Sequence, residues 1–257
     1  MNLQIQLKEL YLETKQMGID WTTLMALVLT TSSIKQGGNA LMLGRQQFHM
    51  STEDNLKILK SCGINPPESS VANGEYAEQL LQVLGFSTVD SLDISPFEKA
   101  TILQDMNLPI EGDLKDRKFD YIFDGGSTEH MFNVAQVYQN ILDMIKLEGV
   151  FCSVVPNNNF SGHGFYQFSP EFFLSIFSKQ NGFYTKVLLA PRGECDINKW
   201  KLIASPSDLE YMLGGVPTFT VCVALKKEEK NVRLSDAFPA QFKYKAEWKP
   251  KDIKIEE

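Results

Sequence analysis

The chain is short of basic residues, of histidine and of cysteine, and it has no long apolar run. Lys and Arg number 25 against 32 Asp and Glu in 257 residues, a formal net charge of −7. Phosphate backbones and anionic lipids are held by clustered Lys and Arg, so this balance argues against a nucleic-acid or membrane surface. It suits a small-molecule or glycan substrate. The longest apolar stretch, Trp21 to Leu29, is too short to cross a bilayer. The opening MNLQIQLKELYLETKQ is charged and amphipathic, without the apolar core of a cleavable leader. Cys62, Cys152, Cys195 and Cys222 show neither CxxC pairing nor metal-ligand spacing, and read as reduced thiols. These absences predict a cytoplasmic protein. GxGxxG is absent, and no segment repeats.

What is present is an alternation of helical and β periodicities. Apolar residues at Leu3, Leu7, Leu10 and Tyr11 predict a first helix that stops at Gly18, and a second runs from Trp21 to about Ile34. Ala40–Leu43 is a buried strand closed by Gly44, and Ser51 caps a helix reaching about Leu59. Tyr76–Leu84 is an amphipathic helix. Strands follow at Thr88–Leu92, Ala100–Leu103 and Phe119–Phe123, ending near Asp93, Asp105 and Asp124. Between Asn133 and Leu147, Val134, Val137, Tyr138, Ile141, Leu142 and Ile145 follow the helical template. Val150–Val155 is a strand covered on both faces, Ser169–Pro170–Glu171 opens another helix, and Phe183–Leu189 and Thr218–Leu225 are the last strands. This pattern predicts one α/β domain over residues 39–226 with a doubly wound, mostly parallel, Rossmann-like sheet and an antiparallel strand near its end. Residues 1–38 form a helical extension, and residues 227–257 a C-terminal arm with Phe238, Phe242, Tyr244 and Trp248.

The residues at the strand ends narrow the class. A nucleoside lying across such a sheet needs a glycine where its tail meets the backbone, then a carboxylate that accepts from both ribose hydroxyls. Gly44 and Asp93 occupy those places, and Asp105, one strand on, is placed to accept from an adenine amino group. A plain role stands beside each: Asp93 before Ile94–Ser95–Pro96 and Asp105 before Asn107–Leu108–Pro109 suit turns, and Asp124 begins an Asp–Gly–Gly turn.

In ALMLG (40–44), VDSLD (89–93), LQDMNLPI (103–110), FDYIFDGGSTEH (119–130), LEGVFCSVVPN (147–157) and HGFYQFSPE (163–171) the chain resembles the class I S-adenosylmethionine-dependent methyltransferases. The resemblance covers about Asn39 to Leu225. It implies a methyltransferase sheet, S-adenosylmethionine as cofactor, and Gly44, Asp93, Asp105, Met106, Asn107 and Asp124 as residues around it. The family's glycine-rich GxGxG turn is reduced here to Gly44–Arg45–Gln46–Gln47–Phe48. Arg45 is then the candidate partner of the cofactor carboxylate, with Gln46 beside it.

The acceptor half is read from Glu129–His130 and from the loop around His163. An imidazole titrates near neutrality, so either histidine can take a proton from an acceptor hydroxyl while Glu129 orients it. Plain alternatives are a helix-capping role for His130 and a loop-ordering role for His163. Asn158, Tyr166 and Gln167 are candidate substrate contacts. His49, His130 and His163 with Glu129 or Asp124 would make a ligand set if they converged, but no HxxxH, HxH or HExxH spacing supports one, and no metal is expected. The reading is methyl transfer to an oxygen, less readily a nitrogen, of a small molecule or saccharide. An inactive methyltransferase-like binding or assembly protein is one alternative, motivated by the lost glycines. A nicotinamide-dependent oxidoreductase is the other, disfavoured by the missing GxGxxG.

Overall fold

The computed structural model describes residues 18–32, 34, 37–205, 207–208 and 214–235. The helix expected over Leu3–Met17 and the four aromatics of the C-terminal arm lie outside them. Helix α1, Trp21–Thr31, starts where the Asp20 side chain accepts from Thr23 N–H and caps the first turn. Leu24, Ala26 and Leu27 bury against the sheet, and the Thr30 and Tyr121 hydroxyls meet at 2.7 Å, so this helix shares the core of the domain that follows. Helices α2 (Thr52–Ser61), α3 (Glu78–Val83), α4 (Val134–Met144) and α5 (Pro170–Ile176) cover the rest of the two faces.

Eight strands form one sheet: β1 (Asn39–Leu43), β2 (Thr88–Asp93), β3 (Ile102–Leu103), β4 (Phe119–Asp124), β5 (Ile145–Asn158), β6 (Phe183–Pro191), β7 (Lys201–Ile203) and β8 (Thr218–Lys226). Their order is β3-β2-β1-β4-β5-β8-β6-β7. The first five run parallel, while β8 lies antiparallel to both β5 and β6. β7 is antiparallel to β6, so the fold of the chain is a mostly parallel α/β sheet with two late antiparallel strands, β7 and β8. After β1 the order steps outward to β2 and β3, then returns to β4 on the other side. That reversal opens a crevice at the carboxyl ends of β1 and β4, where ligands of open α/β sheets bind. Leu43 stands level with Leu92 on one side and Asp124 on the other, so the residues just past them share one rim.

Two apolar layers sandwich the sheet. One gathers Leu24, Leu27, Phe48, Leu59, Leu80, Tyr121 and Phe123, and the other gathers Tyr138, Ile141, Phe151, Phe173 and Phe177. Three elements differ from the periodicity. Helix α4 stops at Met144, and Ile145 already pairs with Phe119, because Glu148 at φ 60° and Gly149 make a tight irregularity at the start of β5. Strand β3 is only two residues long. The short edge strand β7 had no alternating pattern to announce it. Among the described residues no helix is long and apolar enough to cross a membrane.

Candidate active site

Past β1, Gly44 adopts φ 69°, a left-handed conformation that favours glycine, and any Cβ there would run into the Ser127 hydroxyl. Ser127 Oγ donates to the Leu43 carbonyl at 2.6 Å, as Gln46 Nε2 does at 2.9 Å, so the turn after β1 is tied to the turn after β4. The fully buried Asp124 organises that second turn. It accepts from Ser127 N (2.9 Å), Thr128 N (3.3 Å), Thr128 Oγ1 (2.6 Å) and Ser153 Oγ (3.0 Å).

A cavity of about 310 Å³ opens along this rim. Its walls include Gly44, Asp93, Asp105, Met106, Asn107, Ser127 and His130. The volume lies at the lower end of the roughly 300–1,000 Å³ that small ligands occupy. Asp93 uses Oδ1 to accept from Ser95 N–H at 2.8 Å. Asp105 Oδ1 accepts from both the backbone and the side-chain amide of Asn107 at 2.8 Å, so the turn role and the wall position coincide. Helix α4 fixes this wall from behind: buried Asn140 donates through Nδ2 to the carbonyls of Met106 (3.1 Å) and Leu108 (2.8 Å). Asn140 and Ser127 escaped the sequence reading. The signal for Asn140 was a polar residue on the otherwise apolar stripe of α4.

Three expected cofactor contacts are engaged elsewhere. Arg45 bonds Glu78 Oε1 at 2.6 Å through Nε and the Glu98 carbonyl at 2.8 Å, and its guanidinium lies 3.9 Å from the centre of the Tyr76 ring. It pins the Asp93 loop to α3 instead of facing the cavity, because Glu78 offers it a carboxylate within the fold. Gln46 is buried between the two turns, and Asp124 has four donors of its own.

The second half of the site stands where the turn after β4 meets the loop after β5. Thr128–His130 forms one 3-10 turn. The Glu129 carbonyl accepts from Phe165 N (2.7 Å) and Tyr166 N (3.2 Å), which brings the His163 loop onto it. Gly164, at φ 70°, makes that approach feasible, since a Cβ there would lie 2.8 Å from the Glu129 carbonyl oxygen. Gly164→Ala is expected to cost about 1–3 kcal/mol of stability, through backbone strain and the displaced loop. Urea unfolding measures it, and an unchanged midpoint would mean the loop docks without needing glycine.

The result is a side-chain cluster that chain spacing conceals. His130 Nε2 lies 3.2 Å from His163 Nε2, and Glu129 Oε1 lies 3.3 Å from His163 Nε2 and 3.9 Å from His130 Nε2. Glu129 is fully buried, and among the described residues neither carboxyl oxygen has a hydrogen-bond partner. Burial, and then the nearby charge of Asp124, push its carboxyl up to about 8. Burial also holds both imidazoles below their ordinary value. His130 is half-exposed and faces the cavity, so the cluster and the cavity share a wall.

The other expected substrate contacts mostly order their own loop. Tyr166 OH donates to the Phe132 carbonyl at 2.7 Å, and Gln167 Oε1 accepts from Phe160 N–H at 3.0 Å. Asn158 keeps a buried Oδ1 without a hydrogen-bond partner among the described residues. Two residues past each histidine, Phe132 and Phe165 are exposed and meet edge to face, with ring centres 5.5 Å apart.

No family model matches the chain, and no curated protein matches it. Among solved structures it is similar to a chain of the complex between the Haloferax volcanii Trm112 methyltransferase activator and the putative methyltransferase, at 12% identity over 82% of this chain and 92% of that one, TM-score 0.45. It is also similar to a putative sarcosine dimethylglycine methyltransferase from Galdieria sulphuraria, at 14% identity over 82% and 85%, TM-score 0.45. A third is the Burkholderia thailandensis 1,6-didemethyltoxoflavin-N1-methyltransferase with bound 1,6-didemethyltoxoflavin and S-adenosylhomocysteine, at 12% identity over 81% of each chain, TM-score 0.42.

Proposed function

We propose that the chain transfers a methyl group from S-adenosylmethionine to an oxygen, less readily a nitrogen, of a small molecule or saccharide. The observation that carries this reading is the shared wall: a nucleoside-sized cavity with two carboxylates ends at His130, next to a buried carboxylate and a second imidazole. The residues fit the cofactor. Asp93 would accept from the ribose hydroxyls and Asp105 from the adenine amino group, Met106 would give an apolar wall, and Gly44 would let the tail approach the backbone, all four lining the cavity. When bound, the cofactor supplies an electrophilic methyl carbon, so the chain need only align a nucleophile and free it of its proton. His130 or His163 would take that proton as general base, with Glu129 orienting the imidazole, as the methyl carbon leaves the cofactor sulfur for the acceptor oxygen. Asn158 and the exposed rings of Phe132 and Phe165 bound the acceptor side, and one ring face suits the apolar face of a sugar. Neither a nucleic-acid partner nor a membrane is part of this reading, and a cytoplasmic location belongs to it.

Calorimetric titration with S-adenosylmethionine is the first test, and no heat at millimolar ligand would sink the enzyme. His130→Ala and His163→Ala are each expected to lower turnover at least about tenfold while leaving cofactor affinity nearly unchanged. Full turnover in both variants would move the acceptor site elsewhere. One observation favours a second reading, a binding protein without activity: Arg45 is held by Glu78, which leaves the cofactor carboxylate without that cation. The same titration separates the two. Competition with NAD in a thermal-shift assay tests the oxidoreductase alternative.

A further inference from the structure

We infer that Glu129, His130 and His163 form a binding site for one divalent transition-metal ion. Zinc and its neighbours sit about 2.0–2.2 Å from imidazole nitrogen and carboxylate oxygen, which sets ligand atoms of one ion about 3–3.4 Å apart. Two of the three separations here, 3.2 and 3.3 Å, already have that value. The third, 3.9 Å, closes by a small turn of the half-exposed His130 side chain.

A hydrogen bond between the two imidazoles accounts for one contact and leaves the rest unexplained. It gives no hydrogen bond to Glu129, whose two buried oxygens accept none among the described residues and whose Oε1 lies within 4 Å of both imidazole nitrogens. An isolated buried carboxylate is costly, and a cation at the shared point removes that cost. The three ligands are also held for it from behind. The Asp124 network fixes Thr128, and Phe165 and Tyr166 clamp the His163 loop to the Glu129 carbonyl. Two imidazoles and one carboxylate suit zinc, iron(II), cobalt(II) or manganese(II) better than calcium or magnesium, which prefer all-oxygen shells.

Three protein ligands leave further positions open, as in catalytic rather than structural sites, and His130 directs them towards the cavity. If the methyl-transfer reading holds, an acceptor hydroxyl takes one of those positions and becomes more acidic there. Ion binding itself does not depend on that reading.

The test uses the untagged full chain, stripped with chelator and titrated with Zn²⁺ by calorimetry and with Co²⁺ by visible absorption. One ion per chain is expected, with a cobalt spectrum of low-symmetry nitrogen and oxygen ligation. His163→Ala and the isosteric Glu129→Gln should each weaken binding at least about tenfold and alter the cobalt bands. Circular dichroism confirms folding, and His130→Asn, at the half-exposed ligand, serves if either variant is misfolded. No stoichiometric ion, or an ion bound equally well by the folded variants, overturns the site. S-adenosylmethionine affinity is measured on the same samples. Its presence without metal refutes only the metal site, and its absence with metal retained refutes only the methyl-transfer reading.

Discussion

Replacing Asp124 by alanine is expected to destabilise the fold by about 3–5 kcal/mol, because buried donors left without an acceptor cost about 1–3 kcal/mol each and are not fully additive. The carboxylate is fully buried and takes two backbone N–H groups and two hydroxyls. Of these four donor groups only the Thr128 hydroxyl has another partner among the described residues, the Tyr138 hydroxyl 3.2 Å away. For a chain of this length that loss lowers the thermal midpoint by on the order of 10 °C. Differential scanning calorimetry reads it directly, and a midpoint within two or so degrees of the parent would show that water replaces the carboxylate. Asp124→Asn keeps the shape and one acceptor, and is expected to lose roughly half as much.

Asp93→Ala is expected to act on binding, with little effect on stability. The half-buried carboxylate sits at the end of β2 in the cavity wall, with one oxygen occupied by Ser95 N–H. Hydrogen bonds to a charged acceptor are worth about 1.5–3 kcal/mol, so on the methyl-transfer reading its loss weakens S-adenosylmethionine binding by about 10- to 100-fold. Glu98 stands near enough to feel that charge: partial burial and then Asp93 hold its carboxyl above the usual range. Removing Asp93 relieves Glu98 without giving the ribose a new partner. Calorimetry with the cofactor or its demethylated product checks this, and an unchanged dissociation constant removes Asp93 from the site.

Local pattern carried the elements whose neighbours are sheet and solvent. The stripe of Val137, Tyr138 and Ile141, the apolar run of β5 and the Ser51 cap, whose side chain accepts from Asp54 N–H, were all legible because their causes lie within one turn or one strand. Gly44 was legible too, since a strand that ends at a sheet rim must turn sharply there. Arg45 was not, because the carboxylate that captures it lies 33 residues further on, in Glu78. The helix end at Met144 was missed because Ile145 and Leu147 continue a helical spacing that strand pairing with Phe119 overrides. The convergence of Glu129 and His130 with His163 was missed for a related reason. It depends on a loop whose docking is governed by one backbone carbonyl and by the left-handed Gly164.

Strand β8 occupies the sheet between β5 and β6, pairing Val150–Asn158 on one side and Phe183–Pro191 on the other. A ribosome delivers β5 some sixty residues before it delivers the segment that covers its free edge. Until then the nascent chain presents a long, apolar, unpaired strand in the middle of its future sheet, the kind of edge on which chains stick to one another. The rim that carries the cavity is on the same schedule: Asn157 is fastened to Thr220, so the loop that carries His163 is anchored at that point only after β8 arrives. Folding of the sheet therefore finishes at an internal strand, with long-range pairing as the slow step.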